Sequence, residues 1–140
     1  MTINFLAIII LSIASFIAGA FWFSPKMFGK TWMRIHRTEN KTPEEMKESM
    51  KGMRNLLITE FVLTLIMNFF LYLAVTQSPS VMFVFATVFI LWLGFVLPSI
   101  TSSVLWGNDE KRFMFKKILL SSGFRLIVML VSGWIFFVWR

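Results

Sequence analysis

Cysteine is absent from the 140-residue chain, and histidine and tyrosine each occur once. Without a thiol there is no disulfide and no thiolate chemistry. With His36 alone and no Cys, a zinc site would need several carboxylates, and Asp and Glu together number only 7. No glycine-rich phosphate loop occurs. A Ser/His/acid triad needs a base and an acid within reach of a nucleophile. His36 beside Glu39 is too little to build one, and His36 reads instead as a headgroup-level residue. The chain is therefore expected to be non-enzymatic, with no cofactor and no bound metal. Charge is scarce as well, at 15% of residues against roughly a quarter in an ordinary soluble domain.

Apolar residues fill the space, at 57% of the chain, with 17 Phe, 6 Trp and 10 Met. A membrane-crossing helix needs about 20 mostly apolar residues. Four segments qualify, at about 3–23, 56–75, 81–106 and 118–139. They consume most of the chain. The expected fold is all-α, a polytopic membrane protein forming one integral membrane domain over 1–140. Ala18-Gly19-Ala20 resembles a signal cleavage site, but no Lys or Arg precedes the first apolar run, as a signal peptide requires. The segment therefore reads as a retained first helix.

A net charge of +7 and a pI near 10.3 would suggest nucleic acid in a soluble protein. Here the distribution of the cations explains the charge without nucleic acid. Lys26, Lys30, Arg34, Arg37, Lys41, Lys47, Lys51 and Arg54 lie between spans one and two. Lys111, Arg112, Lys116 and Lys117 lie between spans three and four. The link 76–80 has none. Four crossings put both basic loops on one side, and cytoplasmic loops are the ones enriched in Lys and Arg. The expectation is a cell (inner) membrane protein, N-out and C-out, with Trp22, Trp32 and Trp106 at the inner interface and Trp134 and Trp139 at the outer one.

The loop 24–55 carries helical signals. Ser24-Pro25 has the form of an N-cap with Pro at the first helical position. Beyond it, Phe28, Trp32 and Ile35 share one helical face, while Lys26, Lys30, Arg34 and Arg37 share the other. That predicts an amphipathic helix with its apolar side in the acyl boundary. Thr42, Pro43 and Glu45 form a capping box for a second amphipathic helix. It is expected to run on into span two and bend near Gly52. Its stripe of Met46, Met50 and Met53 reads as packing rather than a metal box. The five-residue link 76–80 makes spans two and three antiparallel neighbours. Pro98 predicts a kink just before it in span three, with Thr101, Ser102 and Ser103 available to the freed carbonyls. Asn108, Asp109 and Glu110 look like the cap of a basic lead-in to span four.

Trp22-Phe23-Ser24-Pro25, Phe28-Gly29-Lys30 and Trp32-Met33 resemble the signature of a family of small bacterial membrane proteins, domain of unknown function 1761. Trp92-Leu93-Gly94-Phe95, Pro98 and Leu105-Trp106 are similar to its third-helix pattern. The resemblance spans nearly the whole chain and implies four membrane helices. It implies no activity, substrate or catalytic residue.

Two ionisable residues fall inside spans, Glu60 in span two and Arg125 in span four. A charge at mid-membrane costs about 2.5–3.5 kcal/mol on insertion scales, so it pairs or faces a cavity. Glu60 lies about one and a half turns past Arg54, and Arg125 about two turns past Lys117, so their depths match. Three arrangements fit: an ion pair between spans two and four, separate snorkelling to the inner interface, or a water-filled site. Asn68, near mid-membrane, suits a hydrogen bond between helices or, less simply, a solute contact. Ser12, Ser15 and Gly19 give span one a small-residue face for close packing, against either another span or another subunit. Two readings of function follow. One is a helical-bundle scaffold or interaction protein, a possible homo-oligomer, whose basic face meets anionic lipids. The other is a small oligomeric channel or transporter lined by Asn68, Thr101, Ser102, Glu60 and Arg125.

Overall fold

Helices account for every regular element among the described residues, 3–140, of the computed structural model. The order is α1 (Phe5–Trp22), α2 (Gly29–Ile35), α3 (Pro43–Ser49), α4 (Met53–Val75), α5 (Val81–Leu91), a π-helical turn (Trp92–Val96), α6 (Leu97–Leu105) and α7 (Lys111–Val138). Four stretches are long and apolar enough to cross a membrane: α1, α4, the run Val81–Leu105, and α7.

Several boundaries differ from expectation, each for a local reason. Ser24-Pro25 opens a turn rather than a helix. The Ser24 carbonyl accepts from both Met27 N and Gly29 N, and Phe28 N donates back to the Trp22 carbonyl. The chain closes on itself there so tightly that a Cβ on Gly29 would lie 2.4 Å from the Ser24 carbonyl carbon. Helix α2 begins only after that contact, and it ends in a Schellman motif. Thr38 N reaches the Met33 carbonyl, Arg37 N reaches the Arg34 carbonyl, and Arg37 takes the left-handed conformation at φ 54°, a position usually held by Gly.

The Thr42–Glu45 capping box closes reciprocally, but α3 does not run on into span two. Gly52 adopts φ +84° and separates α3 from α4. The lead-in to span four is continuous with it. Glu110, not Asn108, is the N-cap of α7.

Span three does not simply kink at Pro98. Proline lacks an N–H and its ring presses on the carbonyl four residues back. The helix responds one turn earlier by widening over Trp92–Val96, where Leu97 N donates to the Trp92 carbonyl. The hydroxyl that engages a carbonyl of this turn is that of Ser99, bonded to Phe95 O at 2.6 Å. It is not Thr101, Ser102 or Ser103, and the latter two are exposed.

Helix α7 is the hub. It packs against α1, α4, α5 and α6, while α1 lies on α4 and α5 on α4. The densest core gathers Ala7, Ile8, Leu11, Leu71, Tyr72, Val75, Val84, Val88, Met129 and Phe136. All lie toward the end remote from the two basic loops, called the far end below. Polar contacts seal that end. Asn4 caps α1 by accepting from Ala7 N through Oδ1, and its Nδ2 donates to the Trp139 carbonyl at 3.2 Å. Arg140 donates to the carbonyls of Thr76 and Ser78, both at 2.8 Å.

Candidate functional site

Toward the basic end the helices part. The short link 76–80 holds α4 against α5, but beyond the π-turn α6 follows α7 and draws away from α4. The space left is a cavity of ≈ 580 Å³, bounded by α1, α4, α6 and α7 with Trp32 of α2 across its basic end. The volume falls within the roughly 300–1,000 Å³ of small-molecule sites. Its wall is mostly apolar, with Phe16, Phe23, Leu57, Ile100, Phe124 and Val128 among the lining residues.

Glu60 and Arg125 meet on this wall. Arg125 Nη2 donates to Glu60 Oε1 at 2.5 Å, joining α4 to α7. The Glu60 side chain is 47% exposed and that of Arg125 27%, so the pair borders open space instead of being sealed by packing. Two of the nearby hydroxyls are engaged locally. Ser15 donates to the Leu11 carbonyl at 2.6 Å and Thr64 to the Glu60 carbonyl at 2.8 Å.

The motif residues build the end of the cavity. Phe23 packs at a tilt on Trp32 with centroids 4.5 Å apart, and Trp22 likewise on Phe28 at 4.6 Å. Both Trp22 and Phe23 meet Phe124 at 5.8 Å. Trp32 also packs against His36, with centroids 4.4 Å apart. Ile35 and Gly29 are buried, whereas Pro25, Lys26, Lys30, Arg34 and Arg37 are exposed. The apolar side of α2 therefore faces the bundle, not the acyl boundary. The Trp22 Nε1 and Ser24 Oγ groups are buried without a hydrogen-bond partner among the described residues.

Behind α2 lies a polar recess of ≈ 320 Å³ that includes His36, Arg37, Asp109, Glu110 and Lys117. Lys117 and Asp109 form a largely buried pair at 2.9 Å. Glu110 takes Arg37 at 2.7 Å and Arg112 at 2.6 Å. The Arg112 hydrogen bond is the main cause holding the Glu110 carboxyl below its ordinary value. Partial desolvation of its ring, reinforced by the Lys117 ammonium and opposed by Asp109, lowers the His36 pKa from its ordinary value. Among the described residues no group of His, Asp and Glu could hold a metal ion.

Of the other polar residues singled out by sequence, Ser15 lines the cavity, whereas Asn68, Ser12, Thr101, Ser102 and Ser103 do not. Asn68 is fully buried between α4 and α1, where Nδ2 donates to Ser12 Oγ at 3.0 Å. Its Oδ1 has no partner among the described residues. Ser12, Ser15 and Gly19 thus face other helices of the same chain. A Cβ on Gly19 would come 3.2 Å from the Phe124 ring. Sequence reasoning missed Thr64 and Ser121 as wall residues. The signal was spacing: each lies one turn from a charged partner, Thr64 from Glu60 and Ser121 from Arg125, on the same face. It also missed the bond from Trp92 Nε1 to the Ser122 carbonyl at 2.8 Å, which ties the π-turn to α7.

The class these features define is an all-helical bundle with four helices of membrane-crossing length and a charged, aromatic-ended cavity in one half. More particularly, the chain belongs to the family described as protein of unknown function (DUF1761), whose model matches residues 6–137. No curated protein and no solved structure matches it.

Proposed function

We propose that the protein is an integral inner-membrane protein, N-out and C-out, acting without catalysis as a helical-bundle scaffold or interaction protein whose basic cytoplasmic face engages anionic lipids. The observation that carries this reading is the division of the surface. The flanks are apolar, with Phe5, Leu56, Phe70, Phe83, Ile90, Phe95 and Leu119 at about half exposure or more. The cations Lys26, Lys30, Arg34, Lys41, Lys47 and Lys51 are exposed at one end. A contiguous apolar flank of this extent is costly in water and natural in lipid. Each Lys or Arg near an anionic leaflet contributes about 1 kcal/mol. The non-catalytic part rests on the cavity chemistry. The Ser15 and Thr64 hydroxyls are bonded to their own helices, and His36 packs against Trp32 instead of lining the wall.

The cysteine-free sequence makes the topology testable. Single cysteines placed at Ser80 and at Lys116 should react with an impermeant thiol reagent from opposite sides of the membrane, Ser80 from outside. Labelling of both from one side would overturn the orientation. Purified protein should also bind vesicles containing phosphatidylglycerol more tightly than phosphatidylcholine vesicles through its basic face, with charge reversal in 24–55 abolishing the difference.

A second reading, a small carrier or channel, possible as a homo-oligomer, draws support from one observation: the Glu60–Arg125 pair borders a cavity. Flux of protons, common ions or small amines in liposomes tests it, and flux lost on Glu60→Gln would favour it over the scaffold.

A further inference from the structure

The Glu60–Arg125 pair leaves much of its bonding capacity unused. A guanidinium has five N–H donors and a carboxylate about four acceptor sites, yet one bond joins the two, and it is the one side-chain bond either makes among the described residues. In water the remainder would be solvated. Here the surrounding wall is Phe16, Phe23, Leu57, Ile100, Phe124 and Val128, and unmet polar groups in such surroundings cost several kcal/mol each. The charges of the pair also cancel. A simple anion would gain from Arg125 and be repelled by Glu60, and a simple cation would meet the reverse. A ligand bearing an ammonium and a phosphate satisfies both residues at once. Glu60 can accept N–H bonds from a primary ammonium, and Arg125 presents a planar fork suited to phosphate. A quaternary ammonium, by contrast, is recognised by a cage of open aromatic faces, and the rings at this end pack against one another at tilted angles, Phe23 against Trp32 at 4.5 Å and 49°. The apolar wall suits an acyl chain. The separation of α4 from α6 supplies a lateral way in from the leaflet, leaving a second chain in the bilayer.

We propose that the cavity binds one zwitterionic phospholipid of the phosphatidylethanolamine class, its phosphate on Arg125, its ammonium on Glu60 and one acyl chain between the aromatic rings. The proposal rests on the membrane reading above and names a ligand for the bundle. Lipid would lie across the ion pair in a mostly apolar site, a fixed position distinct from the loose contact of anionic lipids with the basic loops.

Native mass spectrometry of the purified protein released from phosphatidylcholine nanodiscs, doped equally with phosphatidylethanolamine and phosphatidylglycerol, tests it. One bound phosphatidylethanolamine should be retained over phosphatidylglycerol by about tenfold, equivalent to about 1.4 kcal/mol. Arg125→Gln should abolish retention. Glu60→Gln should erase the preference for phosphatidylethanolamine while leaving phosphatidylglycerol able to bind. Ser121→Phe, which fills the cavity and leaves both charges in place, should block the lipid with an unchanged melting temperature. This last variant decides the matter if the charge variants fail to fold. Equal retention of the two lipids, preference for phosphatidylglycerol, or retention unaffected by Ser121→Phe would overturn the proposal. Failure of the protein to enter nanodiscs at all would instead overturn the membrane reading.

Discussion

Gly133 and Gly123 lie on the same helix, yet a Cβ added to each would meet opposite surroundings. At Gly133 it would come within 3.0 Å of Val88 and 3.3 Å of Val84; at Gly123 nothing lies within 4 Å. The first glycine lets α7 approach α5 in the far half. The second stands beside the half where the helices separate. The same four helices therefore build a closed half and an open half. Lipid offers apolar side chains no hydrophobic incentive to leave it, so helix association there depends on packing and hydrogen bonds. The far half has both, in its interlocked core and in the Asn4 and Arg140 contacts. The basic half substitutes an ion pair and an aromatic cluster lining a cavity.

The largest expected effect tests the closed half. Phe136 is fully buried and meets the Tyr72 ring edge-on at 5.3 Å. Phe136→Ala should cost about 3 kcal/mol, at the lower edge of the range for such truncations in cores, because on the membrane reading proposed above lost packing remains while lipid weakens the transfer contribution. Reversible unfolding in mixed micelles measures it. A loss below about 1 kcal/mol would mean that the far half is not the stable one.

Next comes the contrast between insertion sites. Gly133→Leu should destabilise by about 1–3 kcal/mol through overpacking. Ser121→Leu, with its side chain entering the cavity, should leave the melting temperature unchanged or raise it. If both variants lose stability equally, the cavity is filled by the bundle in solution and the distinction between halves fails.

How far the sequence predicts these halves depends on what each residue's behaviour rests on. The four long helices are legible because apolar run length is a local property. The depth match of Glu60 and Arg125 is legible because helical rise is constant, and their side chains stand 2.5 Å apart. Thr42-Pro43-Glu45 is legible because a capping box is closed by four consecutive residues. Ser24-Pro25 carries equally good capping chemistry, and it is overridden by a competing local turn in which the Ser24 carbonyl takes Met27 N and Gly29 N. Pro98 announced a break, but the ring acts on the preceding turn, so the irregularity sits at Trp92–Val96. The cavity was not legible at all. It arises from the divergence of α4 and α6, which depends on how the π-turn aims the rest of span three, and no residue on its wall encodes that by itself.

The ion pair sets a third, smaller expectation. Removal of either charge leaves the other beside an apolar wall, so Glu60→Gln and Arg125→Gln should each destabilise, and the double variant should lose less than the sum. A coupling of about 1 kcal/mol is expected, within the usual range for contacting residues and reduced by the exposure of both side chains. Additive losses would mean that the two halves of the wall are held by packing alone.

The smallest effect distinguishes the basic end by pH. His36 has its pKa lowered below 6.5, chiefly by burial and then by Lys117. The unfolded chain therefore binds a proton more readily than the folded one between the folded value and 6.5. Stability is undiminished above 6.5 and falls as the pH drops through that window. Protonation would place a second cation beside Lys117, against the aromatic end of the cavity. The Glu110 carboxyl, whose pKa is also lowered, adds stability above 4.5 that disappears only on further acidification, so the two contributions separate along the pH axis. Melting temperatures taken from pH 7.5 to 5 should decline in the wild type and decline less in His36→Gln, while a far-half probe such as hydrogen exchange near Phe136 should stay flat. A pH dependence that is identical in the two proteins would show that His36 does not couple the basic end to proton concentration, and would leave the packing of Trp32 as its role.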